Sequence, residues 1–268
     1  MKYLPYIVLG FSCLIGICLA NFVVVPPNKV VNDNPYDLLT ISVPSGGVTT
    51  STTTTTTTLV PDIAYEYNFS INETPQTNEI GSAFNMVVDG ATFNSGNGGH
   101  YIADGINDNM DSATAMPEVS KANNYTISLW MKPNDNTDNY QTAFAVSHGS
   151  TDRIVLGTGS DPDVFQFAIY TGSYVLEECD FNHVNDQWYH LAATHTDANV
   201  VHLFVNGTNQ TDTSGSASTA STVGTTFMNR TSESFQALDG SLDEVRVMSS
   251  VLSAANILRL YNKGGETK

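Results

Sequence analysis

The chain has 268 residues, 41% of them hydrophobic, enough to build a sizeable core. Its 27 acids and 10 bases leave a net charge of −17. That charge repels phosphate backbones and argues against nucleic acid as a partner.

The N-terminus opens with Met1-Lys2 and an uncharged apolar stretch from Tyr3 to Ala20, with small residues around Cys18-Leu19-Ala20. This is the layout of a secretory signal cleaved after Ala20, which makes 1–20 a signal peptide. The uncharged run continues to Val25, so a retained signal anchor is the alternative. Ser12-Cys13 is a poor lipoprotein box. Either main reading puts the rest of the chain outside the cytoplasm, with the membrane involved only through this segment. Residues 21–60 follow as a Pro- and Thr-rich stalk: Pro26-Pro27, Asn34-Pro35, then Thr from Thr49 to Thr58 apart from Ser51. A Thr homopolymer has no apolar face whose burial would offset the entropy of ordering, so an extended linker is predicted. It is either O-glycosylated or a bare tether. Sequons for N-glycosylation stand at Asn68, Asn72, Asn124, Asn206, Asn209 and Asn229.

From residue 61 to 268 the pattern is that of a separate domain. Alternation predicts strands at 63–69, 86–93 (two short strands around Asp89-Gly90), 125–132, 142–147, 153–156, 164–170 and 174–178. A hairpin of 188–196 and 200–205 turns at Asp197-Ala198-Asn199, and Asn206-Gly207 marks the next tight turn. Phe227, Phe235 and the strand 242–248 close the series. About twelve short strands at regular spacing predict an all-β fold, a two-sheet antiparallel sandwich or jelly roll. One short C-terminal helix is predicted, capped by Ser253, with Ile257, Leu258, Leu260 and Tyr261 as its apolar stripe and Gly264-Gly265 at its end. Trp130 and Trp188 are expected to pack, as anchors of the facing sheets or on a sheet surface, rather than to stack on sugar. Strict alternation puts Asp243 on the apolar face with Val245 and Val247, and Glu244 and Arg246 opposite. Of the three cysteines, Cys13 and Cys18 lie in the apolar start. Cys179 alone belongs to the domain, which excludes a disulfide framework there. It is expected to be buried, with an intermolecular link as the alternative.

Three segments together resemble the laminin G-like branch of the concanavalin A-like lectin/glucanase superfamily. They are Tyr125-Thr-Ile-Ser-Leu-Trp-Met-Lys-Pro133; Gln187-Trp-Tyr-His-Leu-Ala-Ala-Thr194 with Val201-His-Leu-Phe-Val-Asn-Gly207; and Leu238-Asp-Gly-Ser-Leu-Asp-Glu-Val-Arg-Val247 with Val251-Leu-Ser-Ala-Ala-Asn-Ile257. Ala64-Tyr-Glu-Tyr-Asn-Phe69 and Asp104-Gly-Ile-Asn-Asp108 are fainter matches. The resemblance spans roughly residues 62–263 and implies a jelly-roll sandwich of the concanavalin A type.

Calcium takes about six to eight oxygens. Asp104, Asn107, Asp108 and Asp111 cluster in one segment, with Asp243 as a distant contributor, and are the candidate ligands. The spacing is not that of an EF-hand, and it is the resemblance that makes calcium a candidate cofactor. Glycoside hydrolysis needs two carboxylates, about 5–5.5 Å apart in retaining enzymes. The superfamily's enzymes set them as E-x-D-x-x-E on one strand, and neither Glu177-Glu-Cys-Asp180 nor Asp243-Glu244 matches. His100, His148, His183, His190, His195 and His202 are scattered, without a zinc spacing. The expectation is a non-catalytic module that binds a glycan or an extracellular protein. A self-associating coat or virion component is the alternative, and a glycoside hydrolase ranks third.

Overall fold

Alternation decides the layers. In a computed structural model, which describes residues 8–14, 17–23 and 63–268 except 74, 81–83, 113, 115, 121, 135–139, 148–151, 160–163, 172–173, 180, 215–223, 229–236 and 266–267, the chain forms two units, Met1–Thr58 and Leu59–Lys268. The first contains an antiparallel hairpin of β1 (Val8–Leu14) and β2 (Ile17–Val23), on which most of the apolar start falls. The stalk from residue 24 and the sequon at Asn229 lie outside the described residues. Among the described residues no helix is long and apolar enough to cross a membrane.

The second unit is two antiparallel sheets face to face. One runs β12 (Tyr174–Cys179), β11 (Phe165–Thr171), β10 (Asp152–Thr158), β9 (Thr142–Ser147), β16 (Gly224–Phe227), β7 (Asn109–Ser112), β4 (Val87–Asp89). The other runs β15 (Thr208–Ser214), β14 (Val200–Val205), β13 (Tyr189–His195), β8 (Tyr125–Pro133), β17 (Asp239–Met248), β6 (His100–Asp104), β5 (Thr92–Asn94), with β3 (Ile63–Tyr67) also on β17. The seven- and eight-stranded sheets are the predicted two-sheet sandwich. Between them, Ile127, Leu129 and Met131 from β8 meet Phe144, Leu156, Phe167 and Phe227 from the facing sheet in one fully enclosed core. Each such side chain contributes about 1.5–3 kcal/mol through burial. Phe227 stands edge-on to Tyr67 of the other sheet, 5.1 Å between centroids, and stacks on Phe144 at 5.6 Å. Cys179 is buried in this core.

Turn chemistry fixes the register. Asn206 (φ 50) and Gly207 (φ 76) both take the left-handed conformation that a two-residue hairpin demands, joining β14 to β15. Helix α1 (Ala254–Gly264) begins where Ser253 accepts a hydrogen bond from the Asn256 N–H, and Gly265 ends it. The helix lies on the outer face of the eight-stranded sheet, through Ile257, Leu260 and Tyr261; Leu258 is half exposed beside Gly207 instead of buried in the stripe.

That docking selects the sheet-surface alternative for Trp130 and corrects the expectation for Asp243. Trp130 does not face the other sheet. It points outward from β8 and is covered by α1, with Tyr261 stacked at 5.7 Å and His190 at 5.4 Å. Gly264 passes so close that an added Cβ would lie 2.2 Å from Trp130 Nε1. Asp243 is likewise not on the core face. A bulge between Asp243 and Arg246 carries an extra residue, Glu244 (φ 49), and breaks the alternation. Asp243 and Arg246 therefore both point outward, while Val245 and Val247 stay in the core.

Candidate functional site

The outer face of the seven-stranded sheet gathers polar and aromatic side chains from four strands. Ile154, Leu156, Phe167 and Ile169 face the core, so their neighbours Arg153, Val155, Ala168 and Tyr170 point away from it. The cross-strand pairing lines up one row: Val87, Asp111, Thr226, Ala145, Val155, Ala168. Asp111 is hydrogen-bonded to Thr226; burial raises its carboxyl and that bond opposes the rise. Beside this row the Arg153 guanidinium lies over the Tyr170 ring, 4.7 Å from its centroid. Both are partly exposed. Such a pair is worth about 0.5–1 kcal/mol at an exposed site. On the other side of the row Gln166 stands opposite Gly157. Its side chain is 4% exposed, and its amide oxygen has no hydrogen-bond partner among the described residues. A buried acceptor left unmatched costs about 1–3 kcal/mol unless a ligand or water fills it. From Asp111 on β7 to Val155 on β10 is three inter-strand steps, about 14 Å at the usual spacing, with Arg153 two residues further along β10. Between Asp111 and Arg153 lie Thr226, Ala145 and Val155, all three buried.

The candidate calcium ligands are spread out. Asp108 Oδ2 accepts from the Asp104 N–H at 3.0 Å, and Asp104 Oδ1 accepts from the Ile106 N–H at 2.9 Å, so this pair shapes the β6–β7 turn. Burial raises the Asp108 carboxyl, and Asp104 and Asp89 add to the rise. Asn107 is exposed in the same turn, its carbonyl bonded by the Asn109 amide at 3.2 Å. Asp111 lies on the face described above. Asp243 does not join the turn: it is paired with Lys268 on the outer face of the eight-stranded sheet. Among the described residues no group of three or more Asp, Glu, His or Cys converges to hold a metal ion.

The histidines do not converge either. His190 Nε2 bonds Ser128 Oγ at 2.9 Å beneath α1, and burial, then the Arg246 charge, pushes it down to about 3. His195 lies between the Asn123 carbonyl (2.9 Å) and Asn199 Oδ1 (3.4 Å). His100 bonds the Gly96 carbonyl, while His148 lies outside the described residues. Of the sequons, Asn68, Asn72, Asn124 and Asn209 are exposed. Asn206 is partly covered and accepts from the His190 N–H at 3.0 Å. The side chains of Glu177 and Glu178, and Asp180 as a whole, lie outside the described residues.

Arg153, Gln166, Tyr170 and Thr226 were not singled out by sequence. The alternation of 153–156 and 164–170 marks Arg153, Gln166 and Tyr170 as outward-facing. Thr226 sits on a strand that only its partners define.

Comparison with known proteins agrees with this architecture. The family described as the concanavalin A-like lectin/glucanases superfamily, in its laminin G form, matches residues 104–258, more than half of the chain. Domain 4 of AbnA, an extracellular GH43 arabinanase of Geobacillus stearothermophilus solved with arabinotriose, is 17% identical with a TM-score of 0.64, over 75% of this chain and 98% of that one. The binding domain of Paraclostridial Mosquitocidal Protein 1 is 14% identical (TM-score 0.60; 75% and 52%). The botulinum neurotoxin serotype D ligand-binding domain, solved with N-acetylneuraminic acid, is 14% identical (TM-score 0.56; 75% and 51%). The chain spans about half the length of these two toxin structures, and at such identities the likeness shows the fold alone. No curated protein matches the chain. On the family match, borne out by the two-sheet fold, the chain belongs to the concanavalin A-like lectin/glucanase superfamily.

Proposed function

We propose that the domain is a non-catalytic, extracytoplasmic glycan-binding module, with its ligand laid across the outer face of the seven-stranded sheet. The observation that carries this reading is the Gln166 amide oxygen, buried and unmatched on that face. A sugar hydroxyl would complete it, the Tyr170 ring offers a stacking surface, and Arg153 and Asp111 offer a donor and an acceptor to further hydroxyls. Two of the structural neighbours were solved with saccharides, which supports a glycan over a protein partner. The apolar N-terminal stretch supports a place outside the cytoplasm. The non-catalytic reading rests on the sequence, where the superfamily's paired-acid spacing is not met. Asp104 and Asp108 already hold their own turn by hydrogen bonds, so binding at this face does not require calcium.

A glycan array and polysaccharide pull-down, each with and without EDTA, test the proposal. Binding that falls at least tenfold in Tyr170→Ala and Gln166→Ala, and persists in EDTA, is the expected result. Binding lost in EDTA would move the site to the β6–β7 turn. Ordered homo-oligomers without sugar binding would replace the reading with that of a coat component, and hydrolysis of a β-glucan would replace it with an enzyme.

A further inference from the structure

We propose that Lys268 and Asp243 condense into an intramolecular amide, a covalent tie from the segment behind α1 to strand β17. This inference is independent of the glycan-binding reading. It starts from an ion pair with no water around it: both side chains are 3% exposed. Both carboxylate oxygens of Asp243 are placed. Oδ1 accepts from the Glu244 N–H at 2.7 Å, and Oδ2 meets Lys268 Nζ. The donor belongs to the extra residue of the bulge, whose φ of 49° few side-chain-bearing residues adopt. Strained backbone of this kind is found where a group must be held in place.

The neighbouring acids are otherwise engaged. Glu66 and Glu244 both bind Arg246, at 2.6 and 2.9 Å. The Lys268 ammonium faces Asp243 on one side and the Trp188 ring on the other, 4.9 Å from its centroid. His100 stands edge-on to that ring at 5.3 Å, and burial, then the Lys268 and Lys132 charges, lowers its pKa. Burial likewise raises the Asp243 carboxyl, against the pull of Lys268. Such burial costs both charges their solvation. The reactive form of the pair is the neutral one, amine beside acid.

The step balances within the pair. A proton passes from Nζ to Oδ2, and the freed lone pair attacks Cγ. Negative charge builds on Oδ1, where the Glu244 N–H already points. The Cγ–Oδ2 bond then breaks, and Oδ2 leaves as water with two of the three ammonium protons. One amide forms, one water is released, and no oxidant or further reactant takes part. Fixed proximity replaces chemical activation of the carboxyl.

The test is the intact mass of the full chain under denaturing conditions, for wild type, Lys268→Arg and Asp243→Ala, followed by peptide mapping. Wild type is expected to lack one water, about 18 Da, and to yield a branched peptide joining Asp243 to Lys268. Both variants are expected at full mass. Lys268→Arg keeps the cation and the fold, so it serves even where Asp243→Ala fails to fold. Folded wild type at full mass, or a water loss mapped to another residue, overturns the proposal and leaves a buried ion pair.

Discussion

Acid should destabilise this domain, most of all through the fully buried His190. His190 lies beneath α1 with Nε2 on Ser128 Oγ, its Nδ1 without a hydrogen-bond partner among the described residues. A protonated ring carries two N–H donors, and here one would be stranded near Arg246. Burial and that guanidinium push its pKa from 6.5 to about 3. A lowered pKa means the unfolded chain binds the proton first, so stability is complete above the ordinary value and is lost as pH falls toward the folded one. Each unit corresponds to about 1.36 kcal/mol, so the step from pH 6.5 to pH 5 removes about 2 kcal/mol. For a domain of this size that lowers Tm by about 4–8 °C. Burial raises the carboxyls of Asp108 and Asp111, and these work in the opposite sense as pH falls. They are common to wild type and His190→Gln, so the difference between the two proteins isolates the imidazole. Thermal melts of both from pH 7 to pH 5 are the assay. His190→Gln is expected to lose about 2 kcal/mol less than wild type over that interval. Parallel Tm profiles would refute the reasoning, because they would mean that the folded protein solvates or pairs the charged ring.

Three further substitutions probe the two layers. Trp130→Ala removes the seat of α1 and is expected to cost about 3–5 kcal/mol; hydrogen exchange should show the amides of 254–264 losing protection before those of β13, and glycan binding should be unchanged. Phe227→Ala, deep between the sheets, carries a similar cost of about 3–5 kcal/mol, but in denaturant melts both sheets should lose stability together. Arg246→Met strands Glu66 and Glu244 and is expected to cost about 3–5 kcal/mol, whereas the triple change Glu66→Gln, Glu244→Gln, Arg246→Met should recover most of it in the same melts.

Strands whose alternation also carries their burial were legible. In β8 every second residue from Tyr125 to Met131 is large and apolar, and Asn206-Gly207 announces its turn by residue type alone. β7 (Asn-Met-Asp-Ser) has little strand propensity of its own, and β15 (Thr-Asn-Gln-Thr-Asp-Thr-Ser) has no apolar alternation. They are strands because β16 and β4 flank the one, and β14 pairs with the other, supplying hydrogen bonds that a local window does not contain. The Asp243 bulge was illegible for a related reason. A one-residue slip reverses every later side chain, and only the partner strand reveals it.

The same distinction separates the two sides of the candidate site. Arg153 and Tyr170 sit on strands that sequence located, each next to a core-facing isoleucine, so their outward direction follows from period two. Asp111 and Thr226 meet only because β16 inserts between β7 and β9, a crossing joined through residues far apart in the chain. The calcium expectation took sequence clustering as spatial clustering. Within 104–111 the chain crosses from one sheet to the other, so Asp104 ends β6 while Asp111 lies within β7, on the opposite sheet. Acids that look like a shared shell in sequence are thereby divided between a turn and a sheet face, and it is the sheet face that carries an unmatched buried acceptor.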